Sequence, residues 1–296
     1  MNLKKTTPFI LILITMFLWA ANFHVVKITL KEYPPMGIAT WRFLFGVVSL
    51  FIILYFKTGK QLFKLRFSKK EWWYLFLTAF FGIFLTIYFF NVGLKTTSAI
   101  NGSLIISTTP AITGVFTFFF LKDKLTYKQW LAIAVSFFGV VVILVKGDFN
   151  RLLMLKFEAG DIYILLMAIV FSFSQIIVSK YLSKVNATTL TGIASFFALI
   201  LFTLFSISEL YSYGIPTTFS FWWTTIFMGV LGSGVAYVAF YYSVVKIGPT
   251  ISTLSINLIP FFAILLGFPF GEKIELLQIA GGIIIIIGIV IFKNRF

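Results

Sequence analysis

The chain is dominated by long apolar runs in which hydrophobic and polar positions do not alternate. A strand of a membrane barrel alternates over about ten residues, whereas a helix that crosses the hydrocarbon core needs about 20 mostly apolar residues. The runs here have the helical length and therefore predict membrane-spanning helices. We place ten spans, at residues 8–28, 36–56, 72–94, 98–121, 127–146, 160–182, 188–210, 220–244, 249–270 and 276–292.

Composition narrows the class of protein further. Of the 296 residues, 60% are hydrophobic and 11% are charged, whereas about 25% of the residues of a soluble domain are charged. A soluble globular enzyme is therefore excluded, and we predict an all-α integral membrane protein. The chain has no cysteine and one histidine. Disulfides, thiolate metal sites and cysteine nucleophiles are excluded, and we expect no metal and no cofactor.

The formal net charge of +15 is explained by membrane topology. Lys and Arg collect in cytoplasmic loops. With a cytoplasmic N-terminus, sixteen bases and two acids lie inside, against seven bases and seven acids outside. We therefore predict that both termini are cytoplasmic and that the first apolar run is an uncleaved span rather than a signal peptide. The bases form no aromatic-interleaved patch, so no nucleic-acid partner is expected.

The two halves of the chain match at an offset near 150 residues. Because each half holds an odd number of spans, the second half must enter the membrane from the opposite side. Inverted repeats are typical of secondary transporters, whose substrate site lies near the midplane between the repeats. We predict a five-helix repeat over 1–146, an outer linker over 147–159 and a second five-helix repeat over 160–296. The matched pairs are Trp72-Trp73 with Trp222-Trp223, Gly82 with Gly232, Lys95 with Lys246, Pro110 with Pro260 and Asp123 with Glu272.

Loose motifs extend over nearly the whole chain. They are Trp19-Ala20-Ala21-Asn22-Phe23, Pro35 with Arg42, Lys95-Thr96-Thr97-Ser98-Ala99, Pro110, Leu121-Lys122-Asp123-Lys124-Leu125, Lys246-Ile247-Gly248-Pro249, Pro260 and Gly271-Glu272-Lys273. With them the chain resembles the drug/metabolite transporter superfamily, in its ten-helix form with two EamA-type domains. The resemblance implies a carrier of amino acids, sugars, nucleotide derivatives or other small metabolites, which such carriers commonly transport outward. The chain departs from the family pattern at two places. Lys122-Asp123 stands where Gly-Glu is usual. The second half has no arginine that matches Arg42, since span seven has Ser195 near that place.

Polar side chains at helical spacing predict the wall of a central cavity. Any one of them could instead hydrogen-bond between helices, but polar faces on paired helices of both halves favour a shared cavity. The residues that we assign to substrate binding are Trp19, Asn22, His24, Arg42, Tyr88, Asn101, Gln175, Tyr237, Tyr241, Ser252 and Asn257.

Two of these residues are ionisable at membrane depth, where insertion of a charge costs about 2.5–3.5 kcal/mol. Arg42 lies one to two turns into span two and is a fork-like donor for a substrate carboxylate or phosphate. Its alternative is to snorkel outward or to pair with Glu32. His24 is the side chain of the spans that titrates near neutral pH. Two interpretations of His24 are open. It takes part in proton coupling, or it is a packing residue whose ring is hydrogen-bonded.

Pro110 and Pro260 interrupt spans four and nine at equivalent places. A proline inside a helix bends it and frees a carbonyl, so we predict that both positions are kinks and hinges. No Asp or Glu lies in the middle of a predicted span, which argues against a carboxylate proton relay. No Gly-x-x-x-x-Gly-Lys loop occurs, so ATP drive within this chain is not expected.

These patterns predict an alternating-access, secondary transporter of small organic metabolites in the bacterial inner membrane, an exporter of amino acids or related compounds. Its expected partners are a small-molecule substrate and the lipid bilayer, and it could work as a monomer or a homodimer. The alternative is an integral membrane enzyme that acts on lipid or polyprenyl substrates. Such chemistry needs paired carboxylates, a metal or an activated nucleophile, and the scattered acids and single histidine disfavour it.

Overall fold

The computed structural model describes residues 3–59, 66–97, 99–145, 148, 150–268 and 275–293. Over these residues the chain forms helices and connecting loops, and no strand. Several residues used above lie outside the described part: Ser98, the predicted boundary of repeat and linker at Lys146 and Gly147, and the Gly271-Glu272-Lys273 motif.

The described residues contain ten helices that are long and apolar enough to cross a membrane. The predicted number of spans and the all-α fold are therefore confirmed. Two short helices, Asn150–Leu153 and Ile207–Tyr213, lie in the connections. Spans one, two, five, six, seven and ten are single α-helices: Leu3–Thr29, Pro35–Thr58, Tyr127–Val145, Ala159–Tyr181, Ala187–Phe205 and Leu276–Lys293.

Span seven ends at Phe205, earlier than the predicted residue 210. The chain turns at Ser206, whose hydroxyl lies 2.8 Å from the hydroxyl of Thr40 on span two. In the short helix that follows, the Glu209 carboxylate accepts a hydrogen bond of 2.6 Å from the backbone N–H of Gly37. These bonds hold the short helix against the first turn of span two, so it does not continue the span.

Spans three and eight each change helix type near their middle, at positions 150 residues apart. The π-helical segments are Thr78–Leu85 and Met228–Val235, and the flanking α-helices are Lys69–Leu77, Thr86–Gly93, Phe219–Phe227 and Ala236–Ile247. A π-helical turn breaks the regular backbone ladder and is common at functional sites. Side chains supply donors there: the Thr86 hydroxyl donates to the Phe81 carbonyl at 2.8 Å.

Spans four and nine are each broken ahead of a proline, as the sequence predicts. The turn at residues 107–108 divides span four, and a 3₁₀ segment, Ser255–Leu258, divides span nine. Pro110 and Pro260 occupy the first turn of the helices that follow, where a missing N–H is tolerated. Their role as hinges stays a prediction. The remaining segments of the two spans are Ala99–Ile106, Thr109–Phe116 and the π-helical Thr117–Leu121, and Pro249–Leu254 and Ile259–Gly267.

The two repeats interlock about a pseudo-two-fold axis. Span one packs against spans eight and nine, and span six packs in the same way against spans three and four. Spans two and seven pack against each other across the axis, as do spans five and ten. Because each repeat has five spans, their directions through the bilayer are opposite. The fold is thus a pair of inverted five-helix repeats, as predicted.

Spans five and ten meet backbone to backbone at the periphery. A Cβ atom on Gly139 would lie 2.7 Å from the carbonyl oxygen of Gly281, and the reverse distance is also 2.7 Å. Small residues allow such close helix contacts in membranes. This pair leaves the other eight spans to surround the centre of the bundle.

Candidate functional site

A cavity of about 190 Å³ lies at the centre of the bundle, between the two repeats. On this scale one water molecule needs about 10–15 Å³, so the cavity has room for a small organic molecule. Seven spans contribute to its wall: one, two, three, four, six, eight and nine. The lining residues are Trp19, Asn22, Val26, Arg42, Thr86, Ile87, Phe90, Asn91, Ile106, Thr109, Met167, Phe171, Tyr237, Ile256 and Ile259.

The cavity occupies one half of the depth of the bundle. Val26 and Asn91 lie in the last turns of spans one and three, whereas Tyr237 and Ile256 lie near the middle of spans eight and nine. The cavity therefore extends from mid-depth toward one side of the bundle. The start of span one and the end of span ten lie on the other side. The side toward which the cavity extends is the one predicted to face outward.

Arg42 is a cation in the cavity wall without an acidic partner. Its Nε donates to the Ser233 hydroxyl at 2.6 Å, and its guanidinium carbon lies 5.8 Å from the centre of the Phe43 ring. Glu32, the alternative partner considered above, instead accepts a hydrogen bond from Thr218. Among the described residues no carboxylate contacts Arg42. The N–H groups at the tip of the guanidinium are therefore available to a ligand.

Asn22 presents a second polar group that the protein leaves unsatisfied. Its side chain is 8% exposed, and neither amide atom has a hydrogen-bond partner in the described part of the chain. The amide rests on Gly232, where a Cβ atom would overlap its nitrogen. An unsatisfied buried amide is costly, so Asn22 is suited to a bound ligand or water.

Four aromatic side chains, which we call the aromatic floor, pack together near mid-depth. Trp19, Phe171 and Tyr237 line the cavity, and Phe240 is buried against Trp19 and Phe171. The Trp19 ring centre lies 5.4 Å from that of Tyr237, 6.3 Å from that of Phe171 and 5.1 Å from that of Phe240. The indole N–H donates to the Gly232 carbonyl at 3.2 Å, which sets the orientation of the ring. The Trp19 ring is inclined by 62° to the Tyr237 ring and by 72° to the Phe171 ring, so the floor is an apolar surface of crossed rings.

The structure thus brings together Trp19, Asn22, Arg42 and Tyr237 of the predicted site. It adds three polar residues that the sequence prediction omits, Thr86, Asn91 and Thr109. For Asn91 the i, i+3 spacing with Tyr88 is a usable signal. The Thr86 and Thr109 hydroxyls donate to carbonyls of their own spans, and no pattern distinguishes them from other threonines.

Three predicted residues make contacts away from the cavity lining. The Tyr88 ring packs 6.2 Å from the Phe84 ring. His24 Nε2 lies 3.0 Å from the Ala263 carbonyl oxygen, which joins spans one and nine. Asn101 donates to the Asp161 carboxylate at 2.9 Å and so ties span four to span six. Substrate binding by these residues stays a prediction.

Four more predicted residues are buried without lining the cavity. Asn257 donates to the Ser136 hydroxyl at 3.0 Å and joins spans nine and five. Gln175 donates to the Phe171 carbonyl at 3.0 Å within span six. The Asn257 bond is of the interhelical kind that the sequence left open as an alternative, and a binding role of both residues stays a prediction. The four are Gln175, Tyr241, Ser252 and Asn257.

The breaks in spans four and nine border the cavity. Ile106 and Thr109 flank the turn before Pro110, and Ile256 and Ile259 flank the equivalent position before Pro260. All four line the wall, so a bend at either proline would change its shape. Within the described residues no three His, Asp or Glu side chains are grouped so as to hold a metal ion.

Ten spans in two interlocked inverted repeats, with a mostly apolar cavity between them that contains one arginine, define a membrane transporter of the multispan carrier class. The profile of the EamA-like transporter family matches residues 6–145 and 158–293. The chain belongs to this family, and each repeat carries one copy of its domain.

Relatives are similar over nearly their whole length. The uncharacterized transporter YyaM of Bacillus subtilis strain 168 is 27% identical over 290 residues, which cover 97% of this chain and 93% of the relative. An uncharacterized transporter of Archaeoglobus fulgidus is 29% identical over 283 residues, 95% of each chain. A crystal structure of a protein with 17% identity matches with a TM-score of 0.79 over 98% of both chains, which shows the fold alone. Family and relatives place the chain among transporters rather than enzymes.

Proposed function

We propose that this protein is a secondary transporter that exports small organic metabolites, amino acids or related compounds, across the bacterial inner membrane by alternating access. The observation that carries the proposal is the central cavity, whose wall holds the Arg42 guanidinium without a carboxylate partner and the buried Asn22 amide without a hydrogen-bond partner in the described part of the chain. Inverted repeats around such a site are the arrangement that supports alternating access. The resemblance to drug/metabolite carriers supports the outward direction, and the distribution of bases supports cytoplasmic termini.

The lining residues take distinct roles in this proposal. The Arg42 guanidinium binds an anionic group of the substrate, and the Asn22 amide completes its hydrogen bonds. Trp19 and Tyr237 support the body of the substrate from below. Pro110 and Pro260 provide the bends by which spans four and nine open and close the wall.

The decisive experiment is counterflow in proteoliposomes that contain the purified full-length protein. A thermal-shift screen of metabolites first selects a ligand, because a ligand that binds the folded form raises its apparent stability. Liposomes preloaded with that ligand should then transiently accumulate its labelled form without chemical conversion. Chemical conversion without accumulation would favour the membrane enzyme, and the absence of accumulation for every selected ligand would contradict a carrier.

Replacement of Arg42 tests the site within that assay. Arg42→Ala should slow exchange of an anionic ligand about tenfold or more, because a hydrogen bond to a charged group is worth about 1.5–3 kcal/mol. Arg66→Ala is the matched control, since Arg66 is exposed in the loop before span three. Equal exchange rates for the two variants, at equal reconstituted protein, would remove Arg42 from the site.

A further inference from the structure

The charges of the cavity are unbalanced. Arg42 is the cation of the described lining, and the same lining contains no aspartate or glutamate. Three acids on this side of the bundle are engaged elsewhere. Glu32 accepts from Thr218, Glu209 accepts from the backbone of Gly37, and Asp161 accepts from Thr97 and Asn101.

The free hydrogen-bond donors of the cavity converge on one side of its wall. Arg42 contacts Ser233, and Asn22 rests on the adjacent Gly232. Spans two and one therefore present a guanidinium and an amide on either side of the same π-helical segment of span eight. A planar guanidinium matches the geometry of a carboxylate, which accepts several hydrogen bonds at once. The Asn22 amide packs against the neighbouring residue of the same segment.

The remainder of the wall is mostly apolar, and its described polar residues, Thr86, Asn91 and Thr109, are neutral, so it offers no carboxylate to a second, positive charge. The Trp19 and Phe171 rings supply flat surfaces, and the aliphatic residues are Val26, Ile87, Ile106, Met167, Ile256 and Ile259. Contact of apolar groups with this wall is favourable. A substrate ammonium group would lose its hydration without gaining a carboxylate partner, and it would be repelled by Arg42.

We propose that the cavity selects monoanionic organic acids with an apolar body over zwitterionic amino acids and amines of the same size. This inference rests on the proposed transport of small organic metabolites, and within that group it prefers organic acids to the amino acids themselves. The single positive charge balances one carboxylate, the Asn22 amide completes its hydrogen bonding, and Trp19 stacks against the body of the ligand.

Four probes that share one phenyl body and differ in charge test the inference. They are 3-phenylpropanoate, phenylalanine, 3-phenylpropanamide and 2-phenylethylamine, which are respectively anionic, zwitterionic, neutral and cationic. Affinity is measured by thermal shift of the purified full-length protein, and transport by competition in counterflow. The anion should bind at least about tenfold more tightly than the zwitterion and the amide, with the amine weakest.

Variants assign the preference to Arg42. Arg42→Gln should weaken binding of 3-phenylpropanoate about 10- to 100-fold and change binding of the amide less than about twofold. Arg42→Lys keeps the positive charge but loses the planar pair of N–H donors, so it should retain part of the preference for the anion. Arg66→Gln removes an exposed arginine and should leave all four affinities unchanged. The ranking of the four probes by the native protein does not depend on whether any variant folds.

The possible outcomes distinguish a wrong substrate class from a wrong transport function. If the protein exchanges phenylalanine or the amine better than the anion, the substrate class is wrong and the transporter stands. If the anion binds with the expected dependence on Arg42 but is never exchanged, the ligand class stands and the carrier proposal is overturned. If no probe binds, or if Arg42→Gln weakens all four equally, the inference is overturned.

Discussion

Arg42 and Asn22 remain available to a ligand because of the two small residues of span eight beneath them. Ser233 accepts a single N–H of the guanidinium, and Gly232 leaves the space that the Asn22 amide occupies. The Gly232 carbonyl also holds the indole of Trp19. In the first repeat the equivalent Gly82 faces the Ser174 hydroxyl instead. The contacts of Arg42, Asn22 and Trp19 with span eight therefore have no exact counterpart at Gly82 in the first repeat.

The contact of Gly232 with Asn22 gives a prediction at the scale of one residue. In Gly232→Ala the new methyl group would overlap the Asn22 amide and push it toward the cavity. We expect ligand affinity to fall about tenfold, because a misplaced amide forfeits a hydrogen bond to a charged group. Thermal-shift titration of the purified variant with its selected ligand measures this change.

The matched control is Gly102→Ala on span four. A Cβ atom there would meet nothing closer than Thr97 Cγ2 at 3.6 Å, and alanine favours a helix over glycine by about 1 kcal/mol. This variant should keep native affinity and unfold at the same or a higher temperature. Native affinity in Gly232→Ala would mean that Asn22 moves aside and does not touch the ligand.

At the scale of the elements, all four irregular spans contribute to the cavity wall, together with the regular spans one, two and six, whereas spans five and ten pack away from it. Spans three, four, eight and nine contain π-helical, turn or 3₁₀ segments, and the cavity wall uses residues within or beside several of these segments. Spans five and ten are unbroken and meet through Gly139 and Gly281. This division supports a carrier in which the broken spans bend while the peripheral pair stays rigid.

Pro110→Ala tests the hinge in span four. The new N–H can bond to the Ile106 carbonyl, which now accepts a hydrogen bond from the Thr109 hydroxyl, so a continuous helix becomes more favourable. We expect counterflow to slow about fivefold or more while ligand affinity changes less than about twofold. Pro249→Ala, at the unbroken start of span nine, is the control. If Pro110→Ala exchanges at the native rate, Pro110 is only a structural kink.

At the scale of the whole molecule, the number of spans and their inverted halves follow from apolar run length and the 150-residue offset, because both are written along the chain. The candidate site can be predicted from the sequence only in part. Helical spacing assigns a polar residue to a face but not to the helix opposite. Asn101 donates a hydrogen bond to Asp161, 60 positions away, and Asn257 donates one to Ser136, 121 positions away. Arg42 is the informative exception, since a charge at membrane depth must face protein or water.

The direction of the fold in the membrane is a separate question, and it decides from which side the cavity is reached. The excess of bases in one set of loops predicts cytoplasmic termini, and then the described cavity extends toward the outside. With the opposite orientation the same cavity would extend toward the cytoplasm. Labelling of engineered cysteines distinguishes the two, because the chain has no cysteine of its own.

Two exposed serines in loops on opposite sides provide the labelling positions. Ser183 lies between spans six and seven, and Ser212 lies in the short helix between spans seven and eight. A membrane-impermeant maleimide should label Ser212→Cys in intact spheroplasts and Ser183→Cys only after permeabilisation, since a single apolar helix of about 20 residues separates them. The reverse pattern would invert the orientation and make the described cavity open to the cytoplasm. Labelling of both cysteines in intact spheroplasts would contradict the inverted repeat itself, because span seven would then not cross the membrane.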